Sequence, residues 1–210
     1  MAVKQFIWKL IIFDTIRNSL KQNKTRMKNI LFFGDSLTAG YGLADVKSES
    51  CPALIQQKIN AEGLDYHVIN GGLSGDTTSG GLNRIEYWMN RPLDVFVLEL
   101  GVNDMIRRIP PSRTAQNLEA IILKVKEKYP AIKMAIMGME IPPFIPGAPV
   151  VAFREIFRRL ADKYNMAFVP FYLEGVAGQK HLNLPDGLHP SAAGYKIIAD
   201  RIWPVVKKLL

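Results

Sequence analysis

Apolar residues in this chain gather in short unbroken runs, separated by longer stretches in which they recur every three or four positions. The runs NILFF (29–33), YHVIN (66–70), DVFVLEL (94–100), KMAIMGM (133–139) and AFVPF (167–171) are rich in Val, Ile and Phe and barely alternate with polar residues. That is the pattern of strands buried on both faces. Between them PALIQQKINAEG, SGGLNRIEYWMN, SRTAQNLEAIILKVKEKY, AFREIFRRLADKYN and the C-terminal SAAGYKIIADRIWPVVKKLL read as helices. The βα alternation predicts an α/β fold: a five-stranded parallel sheet with helices on both faces, a three-layer sandwich. The proline-rich IPPFIPGAP, 141–149, reads as a long loop after the fourth strand. In such sheets ligands bind beyond the carboxyl ends of the strands, so the residues that follow each run are the ones to inspect.

Composition narrows the classes. A chain of 210 residues that is 48% hydrophobic and 22% charged fits one folded domain, with no apolar run long enough to cross a bilayer. The net charge of +8 suggests a polyanion partner until it is located along the chain. Residues 1–28 hold seven basic side chains against Asp14 alone, whereas the remaining body carries 20 basic and 18 acidic residues. The body therefore presents no strong field for nucleic acid. Cys51 is the single cysteine, which excludes an internal disulfide and any multi-cysteine metal site.

Four strand ends carry candidate chemistry. Ser36 follows the first strand in LFFGDSLTAGYGL, where it is either a nucleophile or, with Asp35, the cap of a short helix. The second strand ends in NGGLSGDTTSGG, whose glycines let backbone N–H groups turn toward a bound oxygen, Gly75 being the candidate donor; a flexible connection is the alternative. LELGVND sets Asn103, an amide able to donate to an oxyanion, just past the third strand, where ordinary turn and capping chemistry, the favoured reading of this block in isolation, is the alternative. Glu99, alone in an apolar run, requires a hydrogen-bonding partner and reads as supporting structure rather than chemistry. In LPDGLHPSAAG, Asp186 precedes His189 by three residues, a spacing that lets the carboxylate orient the imidazole. One such histidine with scattered carboxylates is a poor metal ligand set.

Taken together, GDSL at 34–37, SGDT at 74–77, GVND at 101–104 and DGLH at 186–189 resemble the ordered blocks of the SGNH, or GDSL, hydrolase family, over residues 29 to about 205. Its branch of arylesterases, acyl thioesterases and lysophospholipases is the most similar. The resemblance implies a flavodoxin-like topology and a serine esterase acting through an acyl-enzyme. In it Ser36 is the nucleophile, His189 the base and then acid, and Asp186 its orienting partner. The Ser36 and Gly75 backbone N–H groups and the Asn103 amide form the oxyanion hole. It implies no metal and no organic cofactor, and a small acyl ester or thioester as substrate. Val102 stands where many relatives have a second glycine, adding bulk beside the pocket.

The loop MEIPPFIPGAPVVAF suggests an apolar acyl pocket lined by Met139, Phe144 and Ile145, with a loop packed on the core as the alternative. The same machinery directed at acetylated carbohydrate is a rival activity, and a non-catalytic doubly wound binding module a rival class. Residues 1–28 form a basic, helix-compatible extension ahead of a hydrolase domain at 29–210. FIWKLIIF (6–13) is too short to span a bilayer and lacks a small-residue cleavage site after it. Two readings of the extension stand. One is an interfacial helix in weak contact with anionic lipid. The other, which is favoured, is a stretch upstream of a start at Met27, which places the protein in the cytoplasm. Peripheral membrane association and export stay open, and oligomeric state is not legible.

Overall fold

The structure, a computed structural model, describes residues 26–140 and 148–210. Each apolar run forms a strand: β1 (Lys28–Gly34), β2 (Tyr66–Gly72), β3 (Val95–Glu99), β4 (Lys133–Met137) and β5 (Ala167–Val169). All neighbours pair in parallel, in the order β2-β1-β3-β4-β5. The chain steps from β1 to β2 at one edge and then crosses back to β3 on the far side of β1. This is the flavodoxin-like order, and its winding direction reverses between β1 and β3.

The five predicted helices are present as α3 (Cys51–Ala61), α4 (Thr78–Trp88), α6 (Pro111–Lys128), α7 (Ala148–Tyr164) and α8 (Ala192–Lys207). α3 and α8 pack together on one face of the sheet, and α4, α6 and α7 form the other layer. Helix α7 starts at Ala148, ahead of the expected AFREI, with a proline in its first turn where the missing N–H costs no hydrogen bond. Three further short helices, α1 (Ser36–Ala39), α2 (Val46–Glu49) and α5 (Val102–Ile106), have one turn each and show no apolar period from which to predict them. Residues 141–147 of the proline-rich loop lie outside the described residues.

The core is built from both faces of the sheet. Phe32, Phe33, Phe96, Leu98 and Ile136 are buried beneath Ile55, Ile59, Tyr195 and Ile198 on one side and Ile85, Ile121 and Phe157 on the other. Before β1, the Arg26 guanidinium reaches Asp94 with bonds of 2.9 and 2.7 Å, and Asp94 also accepts from the Asn29 N–H at 2.8 Å.

Because β1 begins at Lys28 and Arg26 contributes one exposed ion pair, worth at most about 1 kcal/mol, a chain beginning at Met27 is expected to fold and keep full activity. Purification, thermal unfolding and turnover of the shortened and full chains side by side check this. Aggregation or loss of most activity would show that residues 1–26 pack on the domain.

Candidate active site

The reversal of winding between β1 and β3 opens a crevice at the carboxyl edge of the sheet, and four loops meet in it. Ser36 is the first residue of α1. Asp35 is that helix's N-cap, its Oδ1 accepting from the Leu37 N–H at 3.0 Å. Capping and chemistry thus fall on adjacent residues, and the Ser36 hydroxyl is left to face the last loop. There His189 Nε2 lies 2.9 Å from Ser36 Oγ, and His189 Nδ1 lies 2.7 Å from Asp186 Oδ2. With Nδ1–H donating to the carboxylate, Nε2 is the acceptor for the serine hydroxyl.

The Asp186–His189 pair depends on a tight turn. Gly187 has a φ of 70°, a left-handed conformation that side-chain-bearing residues rarely take, and it turns the chain back over Asp186. Asp186 Oδ1 then accepts from the N–H groups of Leu188 at 2.9 Å and His189 at 3.0 Å. The His189 backbone N–H, the His189 ring and the Leu188 N–H together hold the Asp186 carboxyl down to about 2, so it is ionised whenever the histidine is able to work. The Tyr41 ring packs on the imidazole, with centroids 4.6 Å apart.

The three expected oxyanion donors are brought to the same crevice by different means. Among the described residues the Ser36 and Gly75 N–H groups donate to no protein acceptor. The Asn103 side-chain amide, on α5 directly after β3, donates to Asp35 Oδ2 at 3.1 Å and to the Asp76 carbonyl at 2.9 Å. It therefore bridges the serine turn and the Gly75 turn.

Several residues that hold these loops together carry no signal in the sequence. Arg84 on α4 donates to the Gly34 carbonyl at 2.8 Å, the Gly71 carbonyl at 2.7 Å and Asp76 Oδ2 at 2.6 Å, while its guanidinium lies over the Phe33 ring at 4.0 Å. One side chain thereby fastens the ends of β1 and β2 and the loop that carries Gly75. Asp104, wholly buried, accepts from the Thr78 N–H at 2.8 Å and from the Thr78 hydroxyl, which docks the start of α4 onto α5. Arg107 donates to the Gly75 carbonyl at 2.7 Å. An arginine on a helix face and the aspartate of GVND look like ordinary surface and turn residues until the fold places them.

The expected partner of Glu99 is present: its Oε2 accepts from Thr38 Oγ1 at 2.7 Å. Burial pushes the Asp35 carboxyl up to about 7, with Asp76 and Asp104 adding to the rise, and burial together with Asp35 pushes Glu99 well above the usual carboxylate range.

The expected substrate-lining residues fare differently. Val102 is half-buried at the start of α5, beside Asn103, and packs partly on the core. Met139 is 3% exposed and packs in the core. What remains accessible of it borders a cavity of about 250 Å³, with Glu140, Arg154, Arg158 and Phe168. Phe144 and Ile145 lie outside the described residues. Among the described residues, no group of three or more His, Cys, Asp or Glu side chains is arranged to hold a metal ion.

Comparison with known proteins matches residues 32–197 to the GDSL-like lipase/acylhydrolase family. Esterase TesA of Pseudomonas aeruginosa is 35% identical over 203 residues, covering 96% of this chain and 98% of that protein, an alignment that takes in most of residues 1–28. The thioesterase 1/protease 1/lysophospholipase L1 of Escherichia coli K12 is 32% identical over 172 residues, 81% of this chain and 79% of that one. A crystal structure of TesA superposes with a TM-score of 0.80 at 35% identity, over 87% of this chain and all of that chain.

Because Arg84 and Asp76 form a mostly buried pair that also caps two strand ends, Arg84→Met is expected to destabilise the protein by roughly 3 kcal/mol, the order for breaking a buried ion pair. Denaturant unfolding measures it. A change below about 1 kcal/mol, the scale of a surface pair, would remove Arg84 from this role.

Proposed function

The chain belongs to the GDSL-like lipase/acylhydrolase family, and from that membership and the geometry of the crevice we propose a serine esterase that uses Ser36, His189 and Asp186. It cleaves carboxylic esters or thioesters with an apolar acyl or aryl part. The observation that carries the reading is the hydrogen-bonded chain from Ser36 Oγ through both nitrogens of His189 to Asp186, at 2.9 and 2.7 Å.

In the proposed cycle His189 Nε2 takes the Ser36 proton as Oγ attacks the substrate carbonyl. The carbonyl oxygen becomes an oxyanion and is met by the free N–H groups of Ser36 and Gly75 and by the Asn103 amide. Both Asn103 protons are engaged in the resting site, so one is shared with the oxyanion; the longer bond, to Asp35, is the one that yields. The tetrahedral species collapses, the leaving alcohol or thiol takes the proton back from His189, and the acyl group stays on Ser36 Oγ. Water, deprotonated by His189, then attacks the acyl-enzyme and releases the acid. Asp186, ionised throughout, stabilises the imidazolium at each transfer.

The substrate class follows from the rim. Tyr41, Leu73, Ile106 and Leu188 are each more than half exposed, and each lies within five residues of Ser36, Gly75, Asn103 or His189 in sequence. Tyr41 lies against the His189 ring, and exposed large apolar side chains so near the site residues in sequence support an apolar ligand. They favour acyl or aryl esters over acetylated carbohydrate, which presents hydroxyl groups. They also agree with the names of the relatives, esterase and thioesterase/lysophospholipase. Among the described residues no helix is long and apolar enough to cross a membrane. Cytoplasmic placement, and contact of residues 1–28 with anionic lipid, are carried only by the charge and hydropathy of that segment.

Nitrophenyl esters of increasing chain length, assayed beside acetylated xylan, are expected to be hydrolysed while the polysaccharide is not; the reverse preference would move the enzyme to the carbohydrate class. Ser36→Ala is expected to abolish turnover with the fold intact. Asn103→Ala is expected to lower kcat by about 10²–10³, the usual loss for one oxyanion donor, with little change in KM. An effect confined to KM would make Asn103 a binding residue instead.

A further inference from the structure

Glu99 ends β3, directly opposite Gly34 of β1 in the parallel register, and is wholly buried. A charged residue type in the middle of an apolar sheet carries a cost of several kcal/mol unless its environment is made for it. Its Oε2 accepts from Thr38 Oγ1 at 2.7 Å, and the Asp35 N–H points at the same oxygen from 3.4 Å. Those two groups flank Ser36 on either side of the β1-to-α1 turn. The space the carboxyl fills exists because residue 34 has no side chain: a Cβ on Gly34 would come within 2.1 Å of Thr38 Oγ1 and 2.5 Å of Glu99 Oε2. The carboxyl therefore lies under the turn that carries the nucleophile, where the proposed chemistry makes no direct use of it. We propose that Glu99 is a positioning residue for Ser36, fixing the serine turn through the Thr38 hydroxyl and the Asp35 amide. This rests on Ser36 being the nucleophile.

The electrostatics agree with the geometry. Burial and the neighbouring Asp35 push the Glu99 carboxyl well above the usual range, and Tyr172, Tyr195 and Cys51, all buried and raised in the same way, present no positive charge to it. That environment favours the uncharged form, and the carboxyl acts here as a hydrogen-bond acceptor of definite shape through Oε2, while Oε1 has no partner among the described residues. A neutral amide of the same shape should replace it, whereas an alkyl group should not.

The test compares Glu99→Gln, Glu99→Ala and Thr38→Val with the unaltered full chain and with Ser36→Ala. The readouts are kcat, KM, the rate of fluorophosphonate labelling, and thermal unfolding. Glu99→Gln is expected to keep kcat and labelling rate within about threefold. Glu99→Ala and Thr38→Val are expected to lower both by about tenfold or more with KM nearly unchanged, as for an interaction expressed in the transition state. Folded Glu99→Ala with normal kcat and labelling, or Glu99→Gln as impaired as Glu99→Ala, overturns the proposal. If Glu99→Ala does not fold, Thr38→Val decides, since it removes the bond and leaves the acid: normal rates in it overturn the proposal as well. Activity surviving in Ser36→Ala is a different result, and it strikes the assignment of the nucleophile instead.

Discussion

The site hangs on the parallel pairing of β1 with β3, which sets Gly34 opposite Glu99 at the point where the sheet's winding reverses. Two strands whose following connections leave in opposite directions cannot have their ends covered by the same helix, so a crevice is left between them. Ser36 and Asn103 are the residues that emerge into it. The same pairing brings the Glu99 carboxyl beneath the serine turn and requires a residue without a side chain at position 34. On the other flank of β1, Gly34 is in register with Gly72, and a Cβ there would meet the Ala39 backbone nitrogen at 2.2 Å. The short helix α1 therefore sits closer to the sheet than any side chain at that position would allow.

Pairing alone places strand ends; it does not fix loops to the tolerance that acyl transfer requires. Misplacement of a reacting group by about 1 Å costs on the order of 10²-fold in rate, and one-turn helices such as α1 and α5 have little stability of their own. Charged and amide side chains supply the missing rigidity. Arg84 ties the ends of β1 and β2 to Asp76, Asp104 ties α4 to α5, and Asn103 ties the serine turn to the Gly75 turn. The bonds from Arg84 to Gly34, from Thr78 to Asp104 and from Asn103 to Asp35 and Asp76 cross between different blocks of sequence. That arrangement accounts for why four short motifs, each unremarkable by itself, occur together.

Much of this was legible beforehand, and the reason differs by feature. The strands announce themselves because burial on both faces removes the polar alternation, and all five runs became strands with ends shifted by only a few residues. Ser36, Gly75, Asn103, Asp186 and His189 stood out because four motifs, each weak alone, follow one another in the order of a known family, and the structure sets these residues around one crevice. The one-turn helices escaped because four or five residues define no period. Arg84 escaped because two of its three partners are backbone carbonyls, at Gly34 and Gly71, which no residue type or local spacing encodes. Met139 shows the remaining ambiguity: an apolar residue past a strand end reads equally as pocket wall or as core, and only packing bears on the choice.

The most direct measurement of the central claim is a crystal structure of the full chain after reaction with a phosphonate ester that mimics the tetrahedral intermediate. The account predicts a covalent bond from phosphorus to Ser36 Oγ, with the phosphoryl oxygen at roughly 2.7–3.1 Å from the Ser36 and Gly75 backbone nitrogens and the Asn103 amide nitrogen. An adduct on any other residue, or a phosphoryl oxygen turned away from those three donors toward solvent, would contradict it.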